Sequence, residues 1–254
     1  MRRPVLLPVI SLMTTISPDS CLHRWLAAIF FVALTAAAQA APFEDSMAQR
    51  TLACTGCHGA QGRAAPDGFY PRLAGKPAGY LYNQLLNFRE GRRHYGLMTQ
   101  LIAPLSDAYL MEIAQYFSNL DLPYPAPTTA RQDAPLLAKG KQLVLMGDAA
   151  SGAPACVQCH GTAMTGVTPN VPGLLGLPRD YVNAQLGAWK AGKRRAHAPD
   201  CMQVVVARLS DDDINAISNY LAAQALPANT KPTANAPLLG NGQTAINCGN
   251  AAKP

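Results

Sequence analysis

Apolar side chains recur at helical spacing in two stretches that share one register. Leu81, Leu85 and Phe88 fall at i, i+4 and i+7, and so do Val182, Leu186 and Trp189. Each set forms one face of a helix, and glycine ends both runs, at Gly91 and Gly192. Farther along, Leu110, Ile113 and Phe117 correspond to Ile214, Ile217 and Leu221 as a second buried stripe. Those helices open at Ser106 and Ser210, good N-caps followed by aspartate at the positive end of the helix dipole. Ser210 and Asp213 also have capping-box spacing. No alternating strand pattern competes, so the fold class is all-α.

The correspondence is an internal repeat, and it sets the architecture. Pro71-Arg72-Leu73-Ala74-Gly75 answers Pro172-Gly173-Leu174-Leu175-Gly176, and Tyr80, Gln84 and Gly91 answer Tyr181, Gln185 and Gly192, at an offset of 101. Leu105-Ser106-Asp107 answers Leu209-Ser210-Asp211 at an offset of 104, so the second copy carries three extra residues between Gly192 and Met202. The proline-rich run Asp121 to Pro127 suits an extended linker. The expected organisation is a leader over 1–40, a first domain over 41–121 and a linker over 122–134, then a second domain over 135–226 and a largely irregular tail over 227–254. Units of about 80–90 residues are small for independent stability, unless something else supplies apolar core.

That something is written into the chain twice. Cys54-Thr55-Gly56-Cys57-His58 and Cys156-Val157-Gln158-Cys159-His160 both match Cys-x-x-Cys-His, the attachment signature of c-type haem. The paired thiols add to the porphyrin vinyl groups and the histidine turns onto the iron. A dithiol redox centre or half of a zinc site is the bland reading of a lone Cys-x-x-Cys. The 102-residue separation of the copies, each followed at once by His and Gly, disfavours a shared zinc shell. Two covalently bound haem c groups with their iron are expected.

The N-terminus fits that chemistry. Arg2, Arg3 and Arg24 flank an apolar run from Trp25 to about Ala38, and Ala38-Gln39-Ala40 is a small-residue cleavage site. Export to the periplasm with cleavage after Ala40 follows, with Met13 as an alternative start. The run is short for a span of about 20 residues, although a retained anchor is the alternative. Without the leader the chain has 18 basic and 14 acidic side chains, and four haem carboxylates would cancel its charge. No basic run exceeds Lys193-Arg194-Arg195 and no recognition motif is present, which argues against nucleic acid. Arg92, Arg93, Lys193, Arg194 and Arg195 precede the ligand segments, where they could steer docking to acidic partners or simply form a solvated face.

The second axial ligand separates a carrier from an enzyme, because methionine or histidine closes the iron and an open position invites ligand chemistry. Met98 and Met202 each lie seven residues before a Leu-Ser-Asp, at matched positions of the repeat. His94 and His197 are competitors, read as members of a solvated basic loop. Met111, Met146 and Met164 lack repeat partners and read as core or loop.

With these residues in view, the chain resembles dihaem cytochromes c of the cytochrome c4 family, from about Phe43 to Ala225. The two haem motifs, the Pro-x-Leu-x-Gly segments, the Tyr-x-x-x-Gln-Leu helices and Met before Leu-Ser-Asp carry the resemblance. It implies two class I domains related by a pseudo-twofold and six-coordinate His/Met irons, with electrons carried in the periplasm toward terminal oxidases. It also implies that Pro71 and Pro172 accept hydrogen bonds from the non-ligating nitrogens of His58 and His160.

Cysteine arithmetic leaves Cys201 and Cys248 over, once Cys21 and the four haem cysteines are set aside. A Cys201–Cys248 bridge pinning the tail to the second ligand segment is one reading in an oxidising compartment. The other makes Cys201 a thiolate ligand and the protein a thiosulfate-oxidising haem enzyme. The leading expectation is an electron carrier and not an enzyme. Its partners are then redox proteins: an oxidase, a quinol–cytochrome c reductase or a periplasmic dehydrogenase. A dehydrogenase's cytochrome subunit comes next. A monomer is expected, and peripheral membrane association stays open.

Overall fold

The computed structural model describes residues 44–65, 68–124, 133–234 and 247–250. The expected leader, most of the linker and much of the tail lie outside the described residues. Nearly all regular structure is helical, as the apolar periodicity predicts.

The first half runs α1 (Met47–Arg50), α2 (Leu52–His58), α3 (Ala78–Arg89), α4 (Gly96–Ile102) and α5 (Asp107–Asn119). The second runs α6 (Ala134–Met146), α7 (Val157–His160), α8 (Arg179–Lys190), α9 (Cys201–Val206) and α10 (Asp211–Ala223). In the first half α3 packs on α5, and in the second α10 packs on both α6 and α8. The expected stripes form the contacts: Leu110, Ile113 and Phe117 are buried in one core and Ile214, Ile217 and Leu221 in the other. Ser106 caps α5 by accepting from the Tyr109 amide, and Ser210 forms the full capping box with Asp213 at α10. Each C-terminal helix is thus capped within its own first turn.

Two features depart from the sequence expectations. Met98 and Met202 sit in the short helices α4 and α9, which the apolar pattern does not announce; six or seven residues are too few to show a periodic stripe. A small antiparallel pairing also joins Gly166–Val167 (β1) to Val171–Pro172 (β2), and Thr233 extends it through a parallel bridge to Val167. Part of the tail is therefore docked on the second half, since backbone groups at Gly166 and Thr168 exchange hydrogen bonds with Thr233.

The described residues from Asp45 onward form one compact unit, and the two halves meet along a polar seam. Arg93 and Arg194 pair as an isolated antiparallel bridge, and Tyr80 N donates to Pro169 O at 3.1 Å. The start of the linker is pinned as well. Arg72 donates to the carbonyls of Leu122 and Pro123 and lies 4.0 Å above the Tyr124 ring.

Candidate haem-binding site

Each Cys-x-x-Cys-His ends a short helix, α2 or α7, and delivers its histidine to a buried position. A glycine must follow. Gly59 has φ +75° and a Cβ there would lie 2.4 Å from Ala64 O, so the chain can reverse directly after His58 only without a side chain.

His58 Nδ1 lies 2.8 Å from Pro71 O, and His160 Nδ1 lies 2.7 Å from Pro172 O. A carbonyl only accepts, so Nδ1 carries the proton in both rings and Nε2 keeps its lone pair for a metal. Burial also lowers both histidine pKa values, holding the rings in the neutral, ligating form. In His160 the Pro172 bond opposes the burial effect, and the charge of Lys76 adds to it.

A continuous cavity of about 1680 Å³ runs through both halves. One ligand of ordinary size needs about 300–1,000 Å³, so the space suits two large groups. His58, Met98, Cys54 and Pro71 line it in the first half, and His160, Met202, Cys156, Cys159 and Pro172 in the second. Cys57 is half-buried outside that lining. Burial raises the thiol pKa of Cys54, Cys156 and Cys159, that of Cys156 to about 12, so none has the low-pKa profile of a redox-active thiolate. His94 and His197 both line the cavity, His94 exposed and His197 half-buried 2.9 Å from Arg92 Nη2.

The polar groups at the seam fit the same occupant. Arg194 and Lys76 are only 4% and 3% exposed, and neither forms an ion pair among the described residues. A buried cation without a counter-charge is costly, and carboxylate-bearing porphyrins in the shared cavity would supply one. Arg93 lies 4.5 Å over Phe88, and Arg194 lies 3.8 Å over Trp189, its repeat equivalent. These arginines are therefore not a docking face: they were placed in surface loops by spacing, and the partner domain covers them. Arg92, bonded to Asn87 and His197, is likewise engaged.

Cys201 and Cys248 form a disulfide with Cα atoms 5.5 Å apart. Beyond it, Gly249 N donates to Pro199 O at 2.9 Å, and Asn83 of the first half donates to Asn250 at 3.1 Å. The tail thus crosses from the second ligand helix to α3. Lys76, Asn83, Asn250 and the paired Gln84 and Gln185 were not legible as site residues, because each depends on contacts made by the opposite half.

An all-α repeat with two buried haem motifs defines a dihaem class I cytochrome, and comparison with known proteins agrees. The family described as "Cytochrome c" matches residues 46–114 and 137–225. The chain belongs to the cytochrome c family, as a dihaem protein of the cytochrome c4 kind. It is 39% identical to a thiosulfate dehydrogenase electron acceptor of Thiomonas intermedia, over 79% of this chain and 88% of the relative. It is 35% identical to cytochrome c4 of Pseudomonas aeruginosa, over 74% of this chain and 92% of that one. The crystal structure of reduced recombinant cytochrome c4 from Pseudomonas stutzeri superposes with a TM-score of 0.60 at 31% identity, covering 73% of this chain and 100% of the other. The protein is a dihaem electron-transfer protein with two covalent haem c groups and redox proteins as its partners.

Proposed function

We propose that the chain is an exported electron carrier in which His58 and Met98 ligate one iron and His160 and Met202 the other. Cys54, Cys57, Cys156 and Cys159 hold the porphyrins through thioether bonds. Each haem, when bound, supplies a one-electron Fe(III)/Fe(II) couple. The carrying observation is the pair of histidine–proline carbonyl bonds, which leave Nε2 free in two histidines that line one cavity together with both methionines. The chain's own work is to fix imidazole orientation, hold a methionine thioether that would ligate each iron, and exclude water with apolar walls.

The carrier reading is favoured over catalysis because Cys201 spends its sulfur on Cys248 and has no thiolate to offer iron. The leader expected over 1–40, with cleavage after Ala40, supports a periplasmic location. A thiosulfate-oxidising dehydrogenase is the favoured donor, supported by the 39% identity to an electron acceptor of that enzyme class. Anaerobic mixing tests both points. The oxidised holoprotein should stay oxidised with thiosulfate alone and become reduced when the dehydrogenase is added. Multiple turnovers with thiosulfate and an artificial acceptor, without the dehydrogenase, would make it an enzyme instead.

A further inference from the structure

Lys76 belongs to the first half but acts on the second. Its backbone is rooted at home, with Gly75 N donating to Phe117 O at 2.9 Å and Lys76 N to Leu73 O at 3.2 Å. Its side chain crosses the seam and donates from Nζ to Gly173 O at 2.9 Å. Gly173 is next to Pro172, whose carbonyl accepts from His160 Nδ1. Of two consecutive carbonyls, one holds the second imidazole and the other is held by Lys76.

The ammonium is almost fully buried, the charge that acts on it is another cation, Arg72, and the Tyr124 ring lies 5.9 Å away. Burial first, and the Arg72 charge second, push its pKa down to about 7. At the repeat offset of 101, the counterpart of Lys76 is Leu177. The first site therefore has no equivalent cation from that position, and the asymmetry lies in a single pair of residues.

We propose that Lys76 is a cross-domain positioning residue for the second haem, steadying the Pro172-Gly173 segment whose Pro172 carbonyl orients His160 and laying a positive charge near that imidazole. A nearby positive charge disfavours Fe(III) more than Fe(II), so it raises the potential of the second haem relative to the first. Electrons entering at the first haem then run downhill to the second. The proposal rests on His160 as an iron ligand.

The test is a redox titration at pH 6, below the lowered Lys76 pKa so that its ammonium is charged, of the holoprotein and of K76M, K76Q and K76R, with each haem followed by its axial methionine resonance. Both uncharged variants should lower the second midpoint by about tenfold in its Fe(III)/Fe(II) ratio, or about 59 mV for a one-electron couple, and leave the first in place. K76R should hold the parental value. K76Q retains a hydrogen-bond donor for Gly173, so it isolates the charge and carries the test if K76M does not assemble. An unmoved second midpoint in K76Q, or equal shifts at both haems, overturns the proposal while the functional reading stands. A parental spectrum without a histidine-ligated second haem overturns that reading and the proposal with it.

Discussion

Arg93 and Arg194 reach past each other across the domain seam, each donating to the glutamine of its own half and to that of the other. Arg93 bonds Gln84 at 3.2 Å and Gln185 at 2.9 Å; Arg194 bonds Gln185 at 2.7 Å and Gln84 at 2.9 Å. The exchange follows the twofold of the repeat. It ties the halves together with planar guanidinium forks, which a lysine cannot reproduce. Replacing Arg194 by methionine should cost about 2–3 kcal/mol, as charged hydrogen bonds are lost and both glutamines are left underpaired. Replacement by lysine should recover little of that. Chemical denaturation of the holoproteins checks both values.

The Cys201–Cys248 bridge closes a separation of 47 residues. Loop-closure entropy sets an upper bound of about 4 kcal/mol on its contribution, so C248A should unfold the second half at visibly lower denaturant. Gly249 shows how tightly the tail seats, because a Cβ there would lie 2.1 Å from Ala198 O. Thiol titration of the denatured, unreduced holoprotein should find no reactive thiol; two per chain would contradict the bridge.

The α10 capping box gives a pH signature. Burial opposes ionisation of Asp213, but the hydrogen bonds from Lys139 and Ser210 prevail and hold its pKa below the usual value. A depressed carboxylate pKa means the unfolded chain binds the proton more tightly, so this stabilisation is present at neutral pH and is lost as pH falls through the folded pKa. D213A should therefore cost about 1 kcal/mol at pH 7. The parent–variant difference should shrink toward zero below about pH 4.

The two methionines should behave as a matched pair. M98A and M202A should each keep two covalent haems, lose about half of the far-red methionine–iron band, and lower the potential of one haem. Optical spectra and redox titration read both effects. Loss of the whole band in either variant would show that one methionine serves no iron.

Much of this was legible from local signals. Capping serines, apolar stripes and the haem motifs depend on neighbours within a few residues, and they reappear where spacing put them. The carbonyl partners Pro71 and Pro172 followed from the family resemblance rather than from spacing. What depends on the seam was hidden. Arg93 and Arg194 read as a basic surface because nothing nearby in the chain announces that a second domain will bury them. Lys76, between Gly75 and Pro77, has the look of a solvated turn. The short pairing of β1 with β2 carries no alternation, and its third partner, Thr233, lies 66 residues beyond Val167. The tail's path to Asn83 is set by the disulfide, the Gly249–Pro199 backbone bond and the cross-domain Asn83–Asn250 hydrogen bond, and the cysteine count anticipated only the first.

The central claim is two closed His/Met irons in one chain. Optical and magnetic spectra of the oxidised holoprotein, with haem quantified per chain, test it most directly. Two low-spin haems per chain, both contributing the far-red methionine–iron band, are the predicted result. A high-spin or thiolate-type haem at the second site would contradict it and turn attention from carriage to catalysis.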